Sequence, residues 1–239
     1  MNPVVSVIIP TRNRSSLLEE TIASVFLQDY QEKEIIVVDD GSEDDTETCC
    51  TRLGVHYLRQ DQLGCAAARN LGVRQACGVL LAFLDDDDLW PSGSLSARVQ
   101  EWQRDPSCPH VIGKTRRFSR KDGEEIMFLE TESEAYHRAG LLGAGVMLKS
   151  AFEKIGGFDE SLRNNDDVYL RSTEDTDLWF RMQCAGMKLR KVDEICLHYR
   201  RHPGNVSAHL DNVEGQHRSL LHSLHWKLKR SKAGASPAS

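Results

Sequence analysis

The chain has 239 residues, of which 40% are hydrophobic and 28% are charged. This length predicts one large domain, and the ordinary apolar content excludes an intrinsically disordered chain. The 30 Lys and Arg residues against 36 Asp and Glu residues give a net charge of −6, which argues against a protein that coats nucleic acid. No uncharged stretch approaches the roughly 18 residues of a membrane span, and no signal-peptide pattern is present.

The cysteines and the C-terminal tail bear on cellular location. The seven cysteines include no C-x-x-C pair, so reduced thiols in a cytoplasmic protein are expected. Residues 1–230 are predicted to form a single domain, and residues 231–239 a flexible tail. The basic run from Lys227 could touch the inner face of an anionic membrane, although a solvated end is favoured.

The first hundred residues alternate between strand-like and helix-like segments. Short β-branched or apolar runs predict strands at Val4–Ile9, Glu34–Val38, His56–Leu58 and Val79–Leu84. Between them, an S-x-x-E sequence at Ser16 to Glu19 predicts a capping box, and the Ala-rich segment 66–77 predicts a helix. Strands that are apolar on both faces and joined by helices indicate an α/β fold with a mostly parallel sheet flanked by helices.

The alternation weakens after about residue 105. Later strands are predicted at Val146–Leu148, Lys188–Val192 and Ile195–Tyr199, a helix at Asp177–Cys184, and an amphipathic C-terminal helix over residues 211–230.

Polar side chains follow three of the predicted strands. Thr11, Arg12 and Asn13 follow the first strand, Asp39 and Asp40 follow the second, and four consecutive aspartates, 85–88, follow the fourth. Ligands of an open α/β sheet bind beyond the carboxyl ends of its strands. So many carboxylates at one edge favour a hard divalent cation such as Mg²⁺, Mn²⁺ or Ca²⁺, although an acidic turn before a helix at Pro91 is the simpler alternative.

The chain has neither G-x-x-x-x-G-K-[ST] nor G-x-G-x-x-G, so a glycine loop does not hold phosphates. A diphosphate would then depend on the divalent ion, which points to a nucleotide-sugar site. Glu174 and Asp175 precede a predicted helix, where a carboxylate is often only a cap, but they could supply the general base such a site needs. Arg200 and His202 follow a late strand and could bind a diphosphate or a metal, or could lie on the surface.

Taken in order, these motifs resemble the family 2 glycosyltransferases of the GT-A fold. The resemblance covers residues 4 to 207 and rests on V-S-V-I-I-P-T-R-N (5–13), E-I-I-V-V-D-D-G-S (34–42), A-R-N-L-G (68–72), F-L-D-D-D-D (83–88), G-G-F-D-E (156–160), Glu174-Asp175 and Y-R-x-H (199–202). It implies an inverting transferase with a nucleotide-binding half, about 1–104, and an acceptor-binding half, about 105–210.

The resemblance also implies roles for individual residues. Asp175 would be the general base and Glu174 would orient it or bind the acceptor. Asp87 would bind Mn²⁺ or Mg²⁺, with His202 as a further ligand. The donor, favoured as a UDP-sugar, would be bound by the remaining members of the site: Pro10, Thr11, Arg12, Asn13, Asp40, Arg69, Asp85, Asp86 and Arg200. Four aspartates in a row leave the register of the D-x-D element open by one residue.

The chain departs from the family pattern at two points. Trp90 directly precedes Pro91, where the family has a spacer, and the Q-x-x-R-W element and membrane helices of processive synthases are absent, so single addition is favoured. A sugar nucleotidyltransferase and an inactive scaffold subunit are the alternatives. The acceptor stays open between a glycan, a lipid-linked sugar and a small molecule, and so does the oligomeric state; a role in cell-envelope polysaccharide synthesis is a family-level expectation.

Overall fold

The computed structural model describes residues 2–121, 124–128, 142–164, 174–202 and 205. Its strands are β1 (Val5–Thr11), β2 (Lys33–Asp39), β3 (His56–Arg59), β4 (Leu80–Phe83), β5 (His110–Lys121), β6 (Glu124–Met127), β7 (Gly145–Leu148) and β8 (Leu189–Arg200). Its helices are α1 (Ser15–Phe26), α2 (Thr46–Leu53), α3 (Cys65–Gln75), α4 (Ser94–Arg104), α5 (Lys149–Ile155) and α6 (Glu174–Cys184), with a 3₁₀ turn at Glu160–Asn164.

These strands form one sheet in the order β3-β2-β1-β4-β7-β5-β6, with β8 paired to β5. The first four strands run parallel, β7 lies antiparallel between β4 and β5, and β8 runs parallel to β5. The predicted α/β fold with a mostly parallel sheet is therefore confirmed. The predicted C-terminal helix over 211–230 and the tail lie outside the described residues.

The core lies on both faces of the sheet, because side chains alternate along each strand. On β1, Val7 and Ile9 pack with the apolar side of α1, whereas Ile8 belongs to the cluster on the opposite face. That second face is covered by α3, α5 and α6, which contribute Ala68, Phe152, Leu178 and their neighbours. The result is a three-layer arrangement whose sheet edge can carry a site.

A proline is accommodated near the end of the central strand β1. Ile8 accepts the Leu84 N–H through its carbonyl on the β4 side, and Pro10 lies two residues further along the same strand. The backbone of Pro10 therefore faces the β4 side, beyond the last pair of that ladder, Ile8 with Phe83. No ladder hydrogen bond is lost there, and β1 can open into the loop that carries Arg12 and Asn13.

The predicted capping box at the start of α1 does not form. The helix begins at Ser15, one residue earlier than Ser16, and its N-cap residue Arg14 makes no side-chain capping bond. Instead, Asp44 accepts the Ser15 N–H at 2.9 Å. A carboxylate from the loop before α2 thus stabilises the helix N-terminus in place of the local serine.

Side chains from two helices, α3 and α6, bind the backbone of the turn that follows α5. Asn70 of α3 donates to the Phe158 carbonyl at 2.9 Å and accepts the Phe158 N–H at 3.0 Å. Arg181 of α6 donates to the carbonyls of Ile155 and Gly157 at 2.8 and 2.7 Å. Gly157 has φ +66°, and a Cβ there would lie 2.9 Å from Asn70 Oδ1, so both its backbone and its surroundings favour glycine.

Two sequence-based boundaries change in the second half. β5 and β6 were not predicted, because β5 carries basic side chains through most of its exposed part. The two strands predicted at 188–192 and 195–199 are one strand, β8, with register shifts against β5. Among the described residues, no helix combines the length and the apolar character that crossing a membrane requires.

Candidate active site

The polar ends of β1, β2 and β4 meet at one edge of the sheet, as predicted. The Asp40 N–H donates to the Thr11 carbonyl at 2.9 Å, which joins the ends of β1 and β2. The Thr11 hydroxyl donates to Asp86 Oδ2 at 2.7 Å, which joins β1 to the acidic loop 85–88. Residues separated by up to 75 positions in the chain therefore line the same edge.

Asp40 sits where β2 ends, and its carboxylate is oriented by two groups. Gln60 donates its side-chain amide to Asp40 Oδ1 at 2.7 Å, and the Gly64 N–H donates to Oδ2 at 3.0 Å. Gln60 is buried and was not singled out in the sequence, because a lone glutamine after a short strand carries no motif. Asp40 itself is partly exposed, so its carboxylate can reach a ligand.

The carboxylate of the neighbouring Asp39 is held by hydrogen bonds from within the protein. It accepts hydrogen bonds from the Ser42 N–H at 2.7 Å, the Tyr57 hydroxyl at 2.7 Å and Arg59 at 3.0 Å. Its side chain is fully buried, so its contacts hold the loop after β2 to β3. Burial, and then the hydrogen bond to Asp39, raises the pKa of Tyr57 to about 12.

Asn13 joins the same loop and does not point at the acidic residues. It has φ +53°, its N–H donates to Ser42 Oγ at 2.8 Å, and its Oδ1 accepts the Glu43 N–H at 2.8 Å. Asparagine tolerates the left-handed conformation, so these two bonds explain its presence at this turn. The structure therefore places Asn13 as a brace between two loops, while the adjacent Arg12 is exposed.

Each aspartate of the loop 85–88 has a different environment. Asp85 accepts from Arg69 at 2.7 Å, and Asp88 accepts the Arg200 N–H at 2.9 Å. Burial, followed by the negative charge of Asp87, raises the pKa of Asp86 to about 7. The same two causes raise the pKa of Asp88 well above its usual range, which favours its protonated form and lowers the charge of the loop.

Arg14 is a second residue at this edge that the sequence did not single out. Its Nη1 lies 3.0 Å from Asp86 Oδ1 and 2.8 Å from Asp87 Oδ2. Burial lowers the pKa of Arg14, but the charges of Asp86 and Asp87 outweigh that effect and raise it overall. The acidic loop had indicated a divalent ion, and no local motif links Arg14 to Asp86, because the two residues lie 72 positions apart in the chain.

Asp87 and His202 fit a divalent ion. Asp87 Oδ2 and His202 Nε2 lie 3.0 Å apart, the separation of two neighbouring ligands on an octahedral ion with bonds of about 2.1 Å. Two protein ligands suit Mg²⁺ or Mn²⁺, because such ions usually keep water and substrate phosphates as their other ligands. Within the described ranges, no set of three or more His, Cys, Asp or Glu side chains converges to form a complete metal cage.

The candidate catalytic pair lies in the first turn of α6, and Arg69 connects it to the acidic loop. Arg69 is buried and donates to Glu174 Oε1 at 2.8 Å and to Asp85 at 2.7 Å, while its guanidinium stacks 5.3 Å from the Phe158 ring. Glu174 Oε2 and Arg69 Nε are buried atoms that find no hydrogen-bond partner among the described residues. Burial, then the charge of Glu174, raises the pKa of Asp175 to about 7.

The structure gives Arg200 contacts other than the predicted diphosphate. Its buried guanidinium donates to the Asp87 carbonyl at 2.7 Å and to Glu20 at 2.8 Å, and it lies 5.0 Å from the Phe118 ring. These contacts come from the protein and hold the acidic loop against β8 and α1. Arg200 therefore supports Asp87 through its backbone, and its predicted contact with the diphosphate stays a prediction.

Comparison with known proteins assigns the family. The sequence profile described as "Glycosyl transferase family 2" matches residues 6–155, so the chain belongs to that family. An uncharacterized glycosyltransferase of Rickettsia prowazekii is 30% identical over 200 residues, which cover 75% of this chain and 58% of that protein. The chain thus spans a little over half the length of the first curated relatives it matches.

Two solved structures share the fold. S. aureus TarS 1-349 in complex with UDP-GlcNAc superposes with a TM-score of 0.68 at 20% identity, covering 86% of this chain and 60% of that one. The mannosyltransferase PcManGT from Pyrobaculum calidifontis, in complex with GDP-Man and Mn²⁺, gives a TM-score of 0.69 at 19% identity, covering 96% and 65%. Both likenesses confirm the predicted GT-A fold.

Proposed function

We propose that this chain is a metal-dependent, inverting glycosyltransferase that adds one sugar from a nucleotide-diphospho-sugar to an acceptor hydroxyl. The observation that carries the proposal is the position of Arg69. Its guanidinium contacts Asp85 of the acidic loop at 2.7 Å and Glu174 in the first turn of α6 at 2.8 Å. A donor bound along the sheet edge and a base on α6 would therefore act on the same sugar.

The proposed donor site runs along the ends of β1, β2 and β4. Asp40 can accept the N3–H of a uracil ring, which favours a UDP-sugar, and the hydrogen-bonded pair Thr11 and Asp86 lies at the same sheet edge. Pro10 and Arg12 would border the base and ribose, and Asp85 would lie toward the sugar. TarS and PcManGT, which are reported with UDP-GlcNAc and GDP-Man, have this fold and support a nucleotide-sugar donor.

Asp87 and His202 would hold the divalent ion, Mn²⁺ or Mg²⁺. When bound, such an ion neutralises the negative charge that develops on the leaving nucleotide diphosphate. The 3.0 Å approach of the two side chains supports this assignment, and so does the report of PcManGT with Mn²⁺.

Asp175 is the proposed general base. It takes the proton from the acceptor hydroxyl as that oxygen attacks the anomeric carbon and the bond from this carbon to the diphosphate oxygen breaks. The attack comes from the side opposite the leaving group, so the configuration inverts without an enzyme nucleophile. A pKa of about 7 suits this role, because a base is most effective when its pKa is close to the working pH.

Glu174 is held differently, and we assign it a separate role. One of its oxygens is bound by Arg69, and the other is buried with no hydrogen-bond partner in the part of the chain that the structure describes. A hydroxyl of the donor sugar or of the acceptor could donate to this second oxygen. The acceptor itself stays open between a glycan, a lipid-linked sugar and a small molecule.

Calorimetry tests the site. UDP, GDP and dTDP are titrated into the protein with and without Mn²⁺, and into Asp87→Asn, Asp175→Asn and the exposed-site control Asp45→Asn. We expect metal-dependent UDP binding in the parent protein, the control and Asp175→Asn, but not in Asp87→Asn. Equal loss of binding in Asp87→Asn and Asp175→Asn would contradict the assigned roles, and binding of none of the three nucleotides would refute the function.

A further inference from the structure

Arg14 and the expected divalent ion need the same oxygen. Arg14 Nη1 donates to Asp87 Oδ2 at 2.8 Å, and this is also the oxygen that lies 3.0 Å from His202 Nε2. A guanidinium and a divalent ion on one carboxylate oxygen would place like charges side by side in a partly buried site. Their repulsion is strong there because water screens it poorly.

We propose that Arg14 is a built-in cation that occupies Asp87 in the metal-free protein and moves to the donor diphosphate when the divalent ion binds. The inference rests on the metal site of the proposed function. It adds a positioning residue that exchanges one anionic partner for another, so the acidic loop is neutralised at every stage.

The mobility needed for this exchange is confined to one side chain. The Arg14 side chain is 32% exposed, whereas those of Asp86 and Asp87 are each 8% exposed. The guanidinium can therefore swing toward solvent and the pocket, while the carboxylates are enclosed. A diphosphate carries the anionic oxygens to which arginine binds well.

The acidic loop keeps its shape when Arg14 leaves, because its other contacts do not involve that residue. Asp86 stays bound to the Thr11 hydroxyl at 2.7 Å, and Asp85 to Arg69 at 2.7 Å. The Arg200 N–H holds Asp88 at 2.9 Å. The exchange thus alters the environment of Asp87 and leaves the rest of the loop in place.

Loss of Arg14 should change the affinities for Mn²⁺ and for UDP in opposite directions. In Arg14→Gln, Mn²⁺ alone should bind at least about tenfold tighter, because the competing charge is gone. UDP should bind at least about fivefold weaker to the same variant at saturating Mn²⁺, because a partner of the diphosphate is lost. Arg14→Lys retains the charge and should bind Mn²⁺ within about threefold of the parent protein.

The test is titration of Mn²⁺ followed by electron paramagnetic resonance, with calorimetry for UDP. Arg52→Gln is the matched control, since Arg52 forms an exposed ion pair with Glu19 on the outer side of α1 and α2. Thermal melts of each variant establish folding, and Arg14→Lys carries the test if Arg14→Gln does not fold. In that case a gain in Mn²⁺ affinity beyond about threefold in the lysine variant would contradict the competition.

Unchanged, weaker or undetectable binding of Mn²⁺ alone in Arg14→Gln would overturn the proposal, and so would unchanged UDP affinity. Asp87→Asn separates this failure from failure of the proposed function. If Asp87→Asn binds Mn²⁺ as the parent protein does, the metal site itself is misassigned. If it loses Mn²⁺ while Arg14→Gln is unchanged, only the exchange is refuted.

Discussion

Replacement of Asp175 by asparagine should slow transfer strongly and at the same time stabilise the fold at neutral pH. The pKa of Asp175 is raised from 3.8 to about 7, first by burial and then by the charge of Glu174. A raised carboxyl pKa means that the folded protein binds the proton more tightly than the unfolded chain does. The contribution of protonated Asp175 to the folding free energy is therefore fully present below about pH 4 and is lost as the pH rises through about 7.

The size of the effect follows from the two pKa values. At about 1.36 kcal/mol per pH unit, the rise corresponds to about 4 kcal/mol of folding free energy above pH 7. Asp175 is partly exposed and interacts with Glu174, so we take about half of this, about 2 kcal/mol. For a chain of this length that is about 4–8 °C in Tm at about pH 8, and less than half as much at about pH 5.

Differential scanning calorimetry across pH measures this change, and donor titration and transfer assays accompany it. We expect transfer to fall by about 10²- to 10⁴-fold, while UDP affinity changes by less than about threefold. Asp177→Asn provides the contrast, because Asp177 lies in the same turn but forms an ion pair with Arg181 at 2.7 Å. Neutralising Asp177 removes this ion pair, so this variant should be less stable than the parent protein. A Tm for Asp175→Asn that is unchanged or lower at about pH 8 would refute the reasoning.

Three further predictions concern the proposed base, the arginine that binds Glu174, and the packing of α3 on the sheet. The logarithm of kcat/KM should rise to about pH 7 and then level off. In Glu174→Gln the midpoint of this profile should move to lower pH, because the charge of Glu174 raises the pKa of Asp175. An unmoved midpoint would count against this coupling. Arg69→Met should lower the free energy of unfolding by about 3–5 kcal/mol in denaturant titrations, because it leaves Glu174 buried without its partner, and adding Glu174→Gln should restore part of the loss. Gly72→Ala should lower it by about 1–3 kcal/mol, because the new Cβ would lie 2.6 Å from Ile8 Cγ2; a neutral result would show that α3 can move away from β1.

The sequence was informative where the chemistry is local. Four aspartates directly after an apolar strand indicated the edge of the sheet at which the site lies, and the strand borders were correct to within two residues for β1 to β4. Buried parallel strands are short, apolar and bounded by turns, so their pattern survives without knowledge of neighbours. Asp40 could be placed for the same reason, since it follows β2 directly.

Partners across the fold could not be predicted. Arg14 and Arg200 were visible as basic residues, but whether each faces a ligand or a carboxylate depends on contacts over 72 and 180 positions. The capping-box motif failed for a related reason, since Asp44 from a distant loop satisfied the helix N-terminus instead of Ser16. Tertiary contacts of this kind override local preference.

The adjacent residues Arg69 and Asn70 have a consequence for how the protein could be divided. Arg69 donates to Glu174 and Asn70 donates to the Phe158 carbonyl, so a single turn of α3 binds two segments that come late in the chain. If the gene were split in the loop after α4, neither fragment alone would contain a complete catalytic centre. Activity would return only when the two fragments were expressed together and reassembled. A complementation assay that measures recovered activity would therefore report whether α3 has bound the second fragment.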